Sequence, residues 1–317
     1  MTRGKRTQTP TIEVHLLREG LVESTHRVQA VLCDNRGRTL SAAGNPETAT
    51  FIRSALKPFQ ALAVTTTGTL ERYNLNDRDL AIMCSSHHGR VEQVRQAFNI
   101  LWRSDVDPSA LQCPIPEGKQ SPLEYNCSGK HAGMLAVCQQ RQWPLSSYLQ
   151  YNHPVQKLVL SQVAELMKMP GEELIRAHDD CGAPTYFVQL RQMASLYAQL
   201  ASGENLGMER IVRSMTHHPE MVAGAGAFDT ELMRLSQGEV VSKAGAEGVQ
   251  CMGRIGEGMG LAIKVMDGSS RAKYAVAIHL LKQMSWITPS VSETLAESFM
   301  KLSEFKRLEV LGELSWL

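Results

Sequence analysis

What most constrains this chain is where its strand-like segments fall. "TIEVHLLRE" and "STHRVQAVLCD", close to the N-terminus, are rich in Val, Ile and Leu, and the turn "DNRGR" leads from the second into "TLSAAG". Comparable runs return only near the other end, where "GVQCMGRI" and "GLAIKVMD" flank "GEGM" as a hairpin before "SRAKYAVAIHLLKQM" closes with helical spacing. Helical spacing dominates the middle, over residues 54–67, 90–102, "SGKHAGMLAVCQQRQ", 154–167 and 185–201. "DRDLAIMCSS" reads as a short buried strand that delivers Cys84, Ser85 and Ser86 to a loop, and "DPSALQCPIPEGKQSPLEYN", with four prolines, reads as a loop. Strands, then helices, then strands and a helix is the order of an α+β chain rather than of regular βαβ alternation. The sequence therefore predicts an α/β sandwich whose antiparallel sheet is built from both chain ends and flanked by helices. No linker or low-complexity tract divides the 317 residues, so a single domain is expected over 11–285, with 286–317 as a C-terminal helical extension.

Composition narrows the partners. With 33 Lys+Arg against 32 Asp+Glu, the overall balance carries no electrostatic footprint for nucleic acid, which leaves a small molecule as the expected partner. No apolar run approaches the length of a membrane span. The basic start "MTRGKRTQTP" is followed by "TIEVHLLREG", which has charges where a signal peptide needs an apolar core. Seven cysteines, an odd number, then point to reduced thiols and a cytoplasmic protein. "GEGMG" is not read as a phosphate loop, because a strand follows it and no Lys-Ser/Thr pair completes it.

Four segments carry chemistry. In "FIRSALKPFQAL", Ser54 and Lys57 lie three residues apart, so a helix starting near Ser54 sets the amine beside the hydroxyl, and Pro58 is tolerated in the first turn. An amine can take a serine's proton if burial lowers its pKa, and Phe51, Ile52, Ala55, Leu56 and Phe59 supply apolar surroundings. An isolated S-x-x-K is more often a helix cap with a solvated lysine, so the pair needs support from its neighbours. "MCSSHHG" crowds Ser86, His87 and His88 into a loop, where Ser86 can act as a second hydroxyl or the serines can simply cap a helix. "NCSGKHAGM" and "AHDDCGAPTYF" each set a cysteine among other possible ligands; spacing alone selects Cys127, His131 and Cys181 for zinc, against two small buried cysteines as the alternative. Finally, "VAGAGAF" and "KAGAEG" permit close backbone approach to a ligand, with Lys243 or Lys264 projecting into the same pocket. Lys264 faces away from Leu261, Ile263 and Val265, so it reaches an interior only if its strand is buried on both faces.

Taken together, "RSALKPFQAL", "CSSHHG", "NCSGKHAGM", "DDCGAPTY", "HPEMVAG", "KAGAEG" and "GLAIKVMDG" resemble, in order and spacing over residues 14–282, the L-asparaginase II family of Rhizobium etli type. The resemblance implies a fold like that of serine β-lactamases, penicillin-binding proteins and glutaminases, a homodimer, and hydrolysis of L-asparagine to L-aspartate and ammonia through an acyl-enzyme. It implies two Ser-Lys tandems drawn from Ser54, Lys57, Ser86 and Lys264; either pair could serve in the attack, and the expectation is Ser54 as nucleophile with Lys57 as its base. It also implies a zinc ion on Cys127, Lys130 and Cys181, so Lys130 displaces His131, and substrate contacts at Asp179, His87, Arg53 and Gly248. His88 departs from the small residue common at its position in the family. A penicillin-recognising serine hydrolase and a non-catalytic amino-acid-binding protein are the competing readings. The first lacks its usual K-T-G or K-S-G triad, for which this chain offers "SKAG" and "AIKVMDG".

Overall fold

The computed structural model describes residues 9–317. Its strands are β1 (Ile12–Arg18), β2 (Leu21–Asp34), β3 (Thr39–Ala43), β4 (Ala49–Phe51), β5 (Ile175–His178), β6 (Pro184–Gln189), β7 (Val240–Ala244), β8 (Val249–Arg254), β9 (Met259–Val265), β10 (Lys301–Ser303), β11 (Lys306–Leu311) and β12 (Ser315–Trp316). Nine of them form one antiparallel sheet in the order β10-β11-β1-β2-β9-β8-β7, with β3 on β2 and β12 on β3; β4, β6 and β5 form a second, small sheet. As the sequence order implies, the central contact joins the chain ends, with Val28 of β2 opposite Val265 of β9 and Asp34 opposite Met259.

Helices cover both faces of the large sheet. Leu261, Ile263 and Val265 lie in a core shared with the helices Ser270–Gln283 and Pro289–Phe299, while Ala262 lies in the larger core on the opposite face. On that second face the helix Leu190–Ala201 rests directly on β8 and β9. Gly260 permits the approach, since a Cβ there would meet the Ala194 carbonyl. With both faces of β9 covered, Lys264 is 8% exposed rather than solvated.

Three expectations about elements need correction. Residues 77–83 form a helix, not a strand: Asn76 accepts the Arg78 and Asp79 N–H groups, and Asp79 accepts that of Asn76, a capping box that fixes a helix start. Helix does not begin at residue 185; β6 runs to Gln189 and the helix Leu190–Ala201 follows, because Phe51 and Ile175 both pair with Phe187 in the small sheet. Nor is 286–317 a helical extension. After the helix Pro289–Phe299 the chain supplies β10, β11 and β12, and β11 pairs with β1 from Glu13 to Arg18. Among the described residues no helix is long and apolar enough to cross a membrane.

Candidate active site

The site begins where β4 ends. Ile52 N–H donates to the Tyr186 carbonyl, and Arg53 then adopts a φ of +53°, a left-handed conformation uncommon for a side chain of this size. The chain turns at once into the 3-10 helix Arg53–Leu56, in which Lys57 N–H donates to the Ser54 carbonyl. Residues three apart eclipse one another in that geometry, so the Ser54 and Lys57 side chains share one edge of the turn. Pro58 occupies the first turn of the following helix, Lys57–Gln60, where no helical bond is lost.

Lys57 is 1% exposed. Its Nζ donates to the Ser85 carbonyl and lies 3.0 Å from Ser86 Oγ. A second amine reaches the same hydroxyl from β7: Lys243 Nζ is 2.9 Å from Ser86 Oγ and 2.7 Å from the Ala244 carbonyl. Burial pushes the Lys243 ammonium down to about 7; Asp229 opposes that shift and the charges of Lys57 and Lys273 add to it. Ser86 is thus bracketed by two buried amines, one of which changes charge near neutrality. A cavity of about 250 Å³ opens beside it, lined also by Asn126, Phe228, Asp229, Ala244 and Tyr274. A wider cleft of about 840 Å³, between Leu17 and Leu308, contains none of these side chains.

Lys264 does not join this group. Its Nζ donates to the Glu247 carbonyl, and the amine bonded to Ser86 is that of Lys243. The legible signal was a strand-borne lysine followed by small residues, "SKAG". His87 has no free polar atom for a substrate: Nε2 bonds Ser128 Oγ at 2.8 Å, Nδ1 accepts Gly89 N–H, and burial holds the ring down at about 3, hence neutral. Gly248 has φ +72°, and a Cβ there would sit 2.8 Å from that of Val265, so its role is to close the β7–β8 turn against β9. Arg53 and Asp179 are bonded to each other at 2.8 Å, and Arg53 also holds Asp180 at 2.6 Å. Burial raises the Asp179 carboxyl, but Lys130 and Arg53 outweigh it and the net shift is downward.

The cysteine motifs also meet. Lys130, on the helix Ser128–Arg141, places Nζ 3.0 Å from Cys181 Sγ, and the neighbouring Cys127 thiol, with the Lys130 charge, holds Cys181 down at about 5. Burial pushes the Lys130 ammonium down, yet the adjacent Cys127 and Cys181 sulfurs win and shift it upward. His131, the spacing-based choice, instead turns Nδ1 to Tyr148 Oη at 2.6 Å. Among the described residues no three His, Cys, Asp or Glu side chains converge as a metal site. Two sulfurs and one amine do converge, and that donor set suits zinc provided the lysine coordinates as the neutral amine.

No curated protein matches the chain significantly. Among solved structures it is similar to Mglu, at 16% identity and a TM-score of 0.46, with 82% of this chain and 67% of that chain covered. For Mglu in its tris and glutamate form the values are 15%, 0.46, 82% and 60%. A β-lactamase from Mycobacterium bovis aligns at 11% identity and a TM-score of 0.38, over 86% of this chain and 95% of that one. The decisive match is to a family model, L-asparaginase II, over residues 14–316. That span includes both Ser-Lys pairs and both cysteine motifs, and the chain belongs to the L-asparaginase II family, a family of asparaginase-type amidohydrolases.

Proposed function

We propose that the protein hydrolyses L-asparagine to L-aspartate and ammonia, with Ser54 as nucleophile, Lys57 as its base, and Ser86 and Lys243 as the proton relay to the leaving group. The observation that carries this reading is the bracketing of Ser86 Oγ by Lys57 and Lys243, at 3.0 and 2.9 Å, with Lys57 one turn of 3-10 helix after Ser54. Attack forms the Ser54 Oγ–carbonyl bond while Lys57, as the base, takes the hydroxyl proton. Ser86 then hands a proton from the amine pair to the amide nitrogen, the C–N bond breaks, and ammonia leaves. Water, activated by the same lysine, hydrolyses the ester. The Ser54 and Ala246 N–H groups have no hydrogen-bond partner among the described residues. Gly245 packs against the Ile52 carbonyl, which brings that turn beside Ser54 and makes the two N–H groups candidates to receive the oxyanion.

Cys127, Lys130 and Cys181 would hold the zinc that the family resemblance implies. When bound there, zinc would supply a Lewis-acidic contact for a substrate oxygen or nitrogen. The Arg53–Asp179 pair borders this set and is suited to the substrate's α-amino and α-carboxylate groups. The test is ammonia release from L-asparagine and L-glutamine, combined with mass-spectrometric trapping of the covalent intermediate. Asparagine is expected to be preferred, and the adduct is expected on Ser54 in the wild type and in Ser86→Ala if it accumulates. An adduct formed by Ser54→Ala would assign the attack to another residue.

A further inference from the structure

One buried carboxylate lining the cavity beside Ser86 is not used by the mechanism. Asp229, at the start of the helix Phe228–Leu235, is 3% exposed, and both of its oxygens accept hydrogen bonds from β7 and β8. Oδ1 takes Ser242 Oγ at 2.7 Å and Gln250 Nε2 at 2.8 Å; Oδ2 takes the Ala244 N–H at 2.7 Å. Ser242 and Ala244 flank Lys243, and β7 is the edge strand of the large sheet, so this carboxylate satisfies an N–H that no neighbouring strand can reach. One residue further on, Lys273 Nζ holds the Gly245 carbonyl at 2.9 Å.

We propose that Asp229 is a positioning residue for Lys243: it pins the strand end that aims the lysine at Ser86 and faces that amine with a negative charge. The inference rests on the reading of Lys243 as part of the proton relay. Other titratable groups acting on Lys243 are Lys57 beside Ser86, Lys273 of the helix Ser270–Gln283, and the thiols of Cys84, Cys127 and Cys251. Lys57 and Lys273 oppose its protonation, and burial pushes the Cys84 and Cys251 thiols up. Asp229 is the carboxylate that favours its charged form.

The test is Asp229→Asn, which keeps the size, removes the charge and leaves one oxygen to accept where the carboxylate offers two. Two readouts apply: the acid limb of kcat/KM for L-asparagine, and the NMR titration of Lys243 in protein carrying 13Cε-lysine, its resonance assigned with Lys243→Arg. Both are expected to move to lower pH by about 1 unit, with kcat reduced; Asp229→Glu, which keeps the charge but displaces the strand, is expected to lower kcat with little movement of the limb. A folded Asp229→Asn protein whose Lys243 titrates where the wild type does overturns the proposal and leaves Asp229 a purely structural tie. If Asp229→Asn does not fold, Asp229→Ser, which leaves room for a water among the three donors, is read the same way. The NMR arm needs no turnover, so a wild type that releases no ammonia refutes the hydrolase reading while Asp229's effect on Lys243 is still decided.

Discussion

Replacing Lys243 with methionine should stabilise the protein in mild acid, destabilise it in alkali and sharply reduce its activity. The side chain is fully buried, and its pKa falls from 10.5 to about 7, chiefly through burial. That drop corresponds to about 5 kcal/mol of penalty on the protonated form. Between about pH 7 and 10.5 the unfolded chain keeps a proton that the folded chain has released, so wild-type stability rises with pH across that window. Below about pH 7 the penalty is present in full. Methionine fills a similar volume without it, but gives up the hydrogen bonds to Ser86 Oγ and the Ala244 carbonyl, about 2–3 kcal/mol together. The net expectation is a variant about 2 kcal/mol more stable than wild type at pH 6 and about 2 kcal/mol less stable near pH 10, with turnover down on the order of 10²–10⁴-fold. Urea denaturation of both proteins at the two pH values measures the first quantity, and ammonia release measures the second. A stability difference that is the same at pH 6 and pH 10 would refute the argument, because it would mean Lys243 does not titrate on folding.

Further outcomes separate the two lysines and the two ligand sets. Lys264→Ala should keep kcat/KM within about fivefold of wild type, losing only its bond to the Glu247 carbonyl, about 1 kcal/mol of stability; a loss matching that of Lys243→Met in the same assay would return Lys264 to the relay. Zinc content measured by elemental analysis should fall in Cys181→Ala and Lys130→Ala and persist in His131→Ala and Ser54→Ala. Retention by Lys130→Ala with loss from His131→Ala would restore the ligand set that spacing alone favoured.

Much of the architecture was legible because it follows from local rules. The β-rich segments at both chain ends, the hairpin around "GEGM" and the helix Pro154–Met167 are set by side-chain periodicity and turn residues, which act over a few positions. The turn that places Ser54 beside Lys57, with Pro58 in the next first turn, is equally local. Some local signals were present but outweighed: the Asn76/Asp79 capping box marks a helix that the apolar run alone made look like a strand.

Other decisions belong to pairs distant in sequence, and no periodicity encodes them. Ser86 meets Lys243 across 157 residues, and the choice between Lys243 and Lys264 turns on which amine the folded sheet delivers to that hydroxyl. Both strands are covered on both faces, so alternation no longer says which side is wet. Nor does any local pattern say that both nitrogens of His87, expected as a substrate contact, bond Ser128 and Gly89. The last residues became strands because β1 offered an open edge that β11 could pair. Sequence thus determined most of the elements and the turn at Ser54; tertiary packing decided which buried groups find each other, since burying a polar atom is tolerable only where a distant partner satisfies it.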